Sequence, residues 1–237
     1  MTEMPVAVIA GAGGAGTAVA EGLCAAGFHA VLLDSRREAA EAAAMAATAS
    51  GGSAEAHGID LLDLDALSAL RADLLARLGR VDVLVHLVGG WRGTKTLEPA
   101  SVDNWLALSP PIVGTLAVLT AVFADDVRAS DDGRVFMVTS TTAAAPTAGN
   151  IAYAAAKSAA EAWMAGVAHF LRDSASASVV VAVKALLTDQ MAAAEPERTW
   201  PGYTHVTTLA AAIAEACTGP AVNGSRLDLT VGEYSAS

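Results

Sequence analysis

Cysteine, aromatic rings and positive charge are all scarce in this chain. Its 237 residues include only two cysteines, Cys24 and Cys217. They have no partner spacing, and each sits in an apolar, helix-like stretch. Buried free thiols in a reducing compartment are expected. The histidines His29, His57, His86, His169 and His205 show no metal-ligand spacing, so no metal site is expected. Lys and Arg number 14 against 25 Asp and Glu, a formal net charge of −11. Such a field repels nucleic-acid phosphates, which sets nucleic acid aside as a partner. No basic region followed by an apolar run opens the chain, so no signal peptide and a cytoplasmic location are expected. There is no linker-like tract and no internal repeat.

Charged residues make up 16% of the chain, and none falls in 105–124. That stretch is long enough to span a bilayer. Pro110 and Pro111 are expected to break it, leaving a helix over 112–123 that is too short to cross. A buried helix, and no membrane, is the reading.

What remains is abundant apolar sequence, 54% of residues, much of it alanine. The length suits one α/β domain covering 1–237. Short apolar runs at 6–10, 30–33, 81–85, 135–138, 179–183 and 227–231 read as strands. Helix patterns fall between them at 17–26, 37–49, 67–78, 112–123, 151–171 and 207–217. Gly27 is placed as a helix C-cap, and Gly51 and Gly52 as a turn. Alternating strands and helices imply a parallel sheet covered on both faces, a doubly wound, Rossmann-like fold. Its site belongs beyond the carboxyl ends of the strands.

Gly11, Gly13 and Gly16 fit G-x-G-x-x-G, with Gly14 as a further glycine. The motif follows the first strand and opens a helix, where backbone N–H groups can approach a pyrophosphate. Asp34 ends the second strand, placed to accept hydrogen bonds from both adenosine ribose hydroxyls. Its charge repels a 2′-phosphate and favours NAD over NADP. Arg36 and Arg37 pull the other way, since either can neutralise that phosphate.

Tyr153 and Lys157 form Y-x-x-x-K on one helix face. A lysine cation near a phenol lowers its pKa, and such a tyrosine can exchange a proton with a substrate oxygen. Ser140, at a strand end, can hydrogen-bond the same oxygen.

With the glycine loop, this set resembles the short-chain dehydrogenase/reductase family over essentially the full chain. The resemblance implies an oxidoreductase that moves a hydride between NAD or NADP and a small carbonyl or alcohol substrate. It implies Tyr153 as general acid/base, Lys157 as pKa modulator and nicotinamide-ribose ligand, and Ser140 as substrate-oxygen ligand. It places an adenine contact at Asp60 and Leu61, a strand-end contact at Gly89, and a nicotinamide contact at Thr188. It also implies a substrate lid over about 186–206, and pairing of the apolar helices 112–123 and 151–171 into a homodimer or homotetramer.

The chain departs from the family at particular places. Ser109-Pro110-Pro111 stands where the family carries a relay asparagine. Lys184-Ala185 replaces its proline-glycine, and His86-Leu87-Val88-Gly89 keeps only the glycine of its strand-end motif. Gly89-Gly90-Trp91 also resembles the dihydropteridine reductase branch, though that branch typically lacks the serine. A dinucleotide-binding protein with a non-redox or regulatory role is the reading from another class. His86 is read as a packed histidine, while Trp91, Met191, Trp200 and Tyr203 are candidate pocket walls.

Overall fold

The computed structural model describes residues 4–230. The first half runs β1 (Val6–Ala10), α1 (Gly14–Ala25), β2 (His29–Asp34), α2 (Arg37–Ala49), β3 (Ser53–Gly58), α3 (Leu64–Leu78), β4 (Val83–His86), α4 (Ala100–Ser109) and α5 (Thr115–Ala129). The second half runs β5 (Arg134–Ser140), α6 (Ile151–Leu171), β6 (Ala177–Val183), β7 (Ala185–Leu187), α7 (Asp189–Ala194), β8 (Tyr203–His205), α8 (Val206–Thr218) and β9 (Ser225–Asp228).

Seven strands form one sheet in the order β3-β2-β1-β4-β5-β6-β9. Every pairing is parallel. A parallel sheet needs cover on both faces, and the two apolar layers supply it. Ile9, Leu32 and Phe136 face α1, α2 and α8. Val8, Leu33 and Leu84 face α3, α5 and α6. The chain reverses direction of travel through the sheet between β1 and β4, which opens the crevice used by ligands in such folds.

The doubly wound architecture agrees with the sequence reading, but β3, α4, β7, α7 and β8 are absent from that reading, and the expected proline break does not occur. Pro110 and Pro111 do not break the helix. The segment Pro110–Gly114 is a π-helical turn that joins α4 to α5 without a stop. Pro110 keeps a helical φ of −61°, and a wider turn tolerates the missing N–H groups. The resulting run Ala100–Ala129 is long and apolar enough to cross a membrane by length and composition. One side of it, with Leu108, Ile112, Leu116, Leu119 and Phe123, is nevertheless buried against the sheet.

Strand β3 has no counterpart in the sequence reading. Ala, Glu and Gly are weak strand formers, and the alternation offers only two small apolar groups, Ala54 and Ala56. Tertiary contacts hold it instead. Asp34 pairs with Gly58 in register, and Glu55 accepts both Arg77 guanidinium nitrogens from α3 at 2.7 and 2.9 Å. Around the lid segment 186–206, β7 and β8, also not read from sequence, pair across α7 as a small parallel ladder. The last strand covers Ser225–Asp228; Val231, placed in it from sequence, lies outside the described residues.

Candidate active site

The glycine loop follows β1 directly. Gly11 has φ +99°, a left-handed conformation, and a Cβ there would press on the Val88 backbone nitrogen at 3.0 Å. A Cβ on Gly16 would collide with the Gly11 carbonyl oxygen. These positions therefore need glycine for the loop itself to close. Around Gly13 there is open space. The first helical bond of α1 runs from Thr17 N to Gly13 O at 2.9 Å, so the amides before it stay outside the helical ladder, as an anion site requires. Thr188 faces this loop, its methyl group beside Gly14, and its hydroxyl caps α7 by accepting from Met191 N.

Asp34 is buried, at 8% exposure. One carboxylate oxygen accepts the Ala12 amide at 2.9 Å and the other accepts the Arg36 amide at 2.9 Å. The Arg36 guanidinium lies against it at 3.2 Å. Burial pushes this carboxyl up, but the two amides and Arg36 outweigh it and hold it below its ordinary value. Asp34 thus anchors the loop. Asp60 follows β3 and accepts Leu62 N at 2.9 Å. The Leu61 side chain is buried in the core, so any ligand contact at Leu61 falls to its backbone.

Ser140, Tyr153, Lys157 and Gly89 line one cavity of about 610 Å³. Ser140 ends β5 and hydrogen-bonds Tyr153. Its hydroxyl also accepts from the Thr142 hydroxyl at 3.1 Å. Lys157 donates to the Val138 carbonyl at 2.8 Å, and its nitrogen stands 5.9 Å from the Tyr153 ring centre. Burial pulls the Lys157 ammonium down to about 8, with the Glu161 charge partly offsetting it. Tyr153 lies above its ordinary value, because burial outweighs the Ser140 hydrogen bond. The depression of the phenol by lysine expected from sequence is therefore not present in this geometry.

His86, at the end of β4, is fully enclosed. The Thr115 hydroxyl gives its hydrogen to Pro111 O at 2.6 Å, so His86 Nε2 donates to Thr115 Oγ1 at 2.7 Å. Burial, then the Lys157 charge, push this imidazole down to about 3. It is the packed histidine expected. Trp91, Met191 and Tyr203 line the same cavity as Tyr153. Trp200 stacks edge-on against Tyr203 just outside it, with ring centres 5.1 Å apart. Sequence reasoning missed Thr142 and Lys184, which also line the cavity. A hydroxyl two residues beyond a strand-end serine was the available signal for Thr142. For Lys184 the signal was its place at the family's proline-glycine position after β6.

Among the described residues no cluster of His, Cys, Asp or Glu could hold a metal. A second, more apolar groove of about 430 Å³ lies between α5 and α6, remote from this chemistry.

A glycine loop at the switch point of a doubly wound sheet, with Ser, Tyr and Lys two strands away, defines a dinucleotide-site class of protein. The chain belongs to the short chain dehydrogenase family, whose model matches residues 5–199. It is 32% identical to the short-chain reductase protein NovJ of Streptomyces niveus over 160 residues, 67% of this chain and 60% of NovJ. The chain spans 50% to 60% of the length of the curated relatives it matches. A 7α-hydroxysteroid dehydrogenase, solved with NADH and 7-oxo glycochenodeoxycholic acid, has a TM-score of 0.79 at 25% identity, with 96% of this chain and 93% of that one covered. A metagenomic short-chain oxidoreductase in complex with NADP has a TM-score of 0.76 at 28% identity, covering 94% and 96%.

Proposed function

We propose that this chain is an NAD(P)-dependent oxidoreductase interconverting a small carbonyl compound and its alcohol, with Tyr153 as general acid and base. One observation carries the reading: Tyr153, hydrogen-bonded to Ser140 and with Lys157 beside its ring, lines a cavity at the carboxyl edge of the sheet.

The residues fit a dinucleotide. Gly11 to Gly16 leave a cradle that side chains would fill. Asp34 stands for the adenosine ribose, Asp60 and the Leu61 backbone for adenine, and Gly89, Lys157 and Thr188 for the nicotinamide end. A bound nicotinamide supplies or takes up the hydride. In the reducing direction Tyr153 gives its hydroxyl proton to the substrate oxygen, and in the oxidising direction it takes that proton back. Its raised pKa suits the first role, since it keeps the phenol protonated. Ser140 holds the same oxygen. Lys157, charged below about pH 8, favours the tyrosinate when the proton has left.

The Ser140–Tyr153 pair supports a carbonyl substrate over a pterin, and an active site over a purely regulatory one. NAD is the proposed cofactor, because the Asp34 carboxylate at the end of β2 would repel a 2′-phosphate. Arg36, with its side chain 69% exposed, can reach a 2′-phosphate only by leaving its contact with Asp34, so NADP binds more weakly rather than not at all. Segment 186–206 is the proposed lid, and the α5/α6 groove with exposed Trp163 the proposed contact between copies of this chain. Cytoplasmic residence accords with the two free thiols.

Fluorescence titration with NADH and NADPH tests the reading. Binding, tighter for NADH, is expected, with turnover on ketones that Tyr153→Phe abolishes. Unchanged product formation by that variant would exclude the tyrosine mechanism.

A further inference from the structure

The helix that carries Tyr153 and Lys157 carries a third polar residue in step with them. Tyr153, Lys157 and Glu161 stand four residues apart, so they follow one face of α6. Each is tied to one of three consecutive residues of β5. Tyr153 pairs with the Ser140 hydroxyl. Lys157 donates to the Val138 carbonyl at 2.8 Å. Glu161 Oε1 accepts the Thr139 hydroxyl at 2.6 Å. Its other oxygen meets Arg226 Nη1 of β9 at 3.0 Å.

We propose that Glu161 is a positioning residue for Lys157. Its carboxylate, pinned by Thr139 and Arg226, is the counter-charge that keeps the buried ammonium protonated and able to hold a nicotinamide nucleotide. The inference rests on the role given to Lys157 above.

Lys157 is only 6% exposed, and its hydrogen bond goes to a neutral carbonyl. Burying an ammonium favours its neutral form unless an opposite charge is near. The titratable groups around it on each packed element are few. On α6 they are Tyr153, protonated at neutral pH, and Glu161. On β4 there is His86, held neutral, and after β6 Lys184 lines the same cavity, its ammonium donating to Pro201 O at 3.1 Å. On β9 there is Arg226, partly exposed and spent on Glu161. Glu161 is the group that opposes the effect of burial on Lys157. Without it the ammonium loses its proton at a lower pH, inside the working range of the site.

A clamp holding α6 to the sheet would leave the same contacts, so the test must read charge. NADH binding is measured by fluorescence from pH 6 to 9 for wild type, Glu161→Gln and Glu161→Asp, with thermal melts of each. Glu161→Gln keeps the shape and removes the charge. It is expected to weaken NADH binding about threefold to tenfold at pH 8 and clearly less at pH 6. Glu161→Asp restores most of the high-pH affinity, even if both variants melt lower. An equal loss at every pH, or a profile that overlays wild type, overturns the proposal while leaving the dinucleotide reading intact. Wild-type protein that binds neither NADH nor NADPH removes both.

Discussion

Tyr153 and Lys157 show how burial sets the chemistry of single groups. Enclosure raises the phenol and lowers the ammonium, which drives apart two proton affinities that are nearly equal in water. Tyr153→Phe is expected to cut turnover by about 10²–10⁴-fold, and NADH affinity far less; steady-state assay and titration of the same preparation check this. The Lys157 shift also links stability to pH. Its native value is about 8 against an ordinary 10.5, so between those values the unfolded chain binds more protons. Stability therefore rises with pH from about 8 to 10.5 through this residue. Lys157→Met is expected to remove that slope and to stabilise the fold at pH 7 by about 1–3 kcal/mol, while impairing catalysis. Denaturant melts at pH 7 and pH 10 on both proteins read it, and a Met variant less stable at pH 7 would contradict it. The Y-x-x-x-K spacing was legible because a helix face has a fixed period. The raised phenol was not, because burial depends on what the rest of the chain places over it.

Among the elements, the glycine loop and β3 are governed by opposite kinds of information. The loop is local: Gly16→Ala drives a methyl group into the Gly11 carbonyl. It is expected to cost about 1–3 kcal/mol of stability and to weaken nucleotide binding, seen by a lowered melting temperature and by NADH titration. Strand β3 is nonlocal. Its hold on the sheet edge runs through Glu55, whose carboxyl is lowered from 4.5 to about 2, chiefly by Arg77. A carboxyl lowered on folding contributes stability above its unfolded value, and that contribution is lost as pH falls from about 4.5 toward 2. Glu55→Gln should therefore flatten this acid-side loss by about 3 kcal/mol or less, read from urea midpoints between pH 6 and pH 3. Neither the pairing of β3 nor the continuity through Pro110 and Pro111 shows in residue preference. Both are outweighed by packing on neighbours distant in sequence.

For the molecule as a whole, the excess of apolar helix surface is the open feature. Trp163 is 43% exposed on α6, with its indole nitrogen bonded to Thr120 Oγ1 of α5 at 2.9 Å. A monomer gains nothing from an exposed tryptophan beside an apolar groove, and a second copy would bury it. A Cβ at Gly166, in the same groove, meets open space, so Gly166→Glu adds charge to the contact without crowding the fold. Light scattering at micromolar concentration is expected to show a dimer or tetramer for the wild type and a smaller species for the variant. A monomeric wild type would exclude the oligomer.

The alternation of strands and helices, the glycine loop, and the candidate Ser140, Tyr153 and Lys157 followed from sequence alone. They depend on local rules: hydrophobic period, glycine conformations, and the four-residue repeat of a helix face. Tertiary structure alone decided the rest. It brought the Ala12 amide to the Asp34 carboxylate, buried Lys157 against the Val138 carbonyl of β5, and added β3 to the sheet edge. Each of these joins groups from separate elements, and charges and hydrogen bonds act through space rather than along the chain.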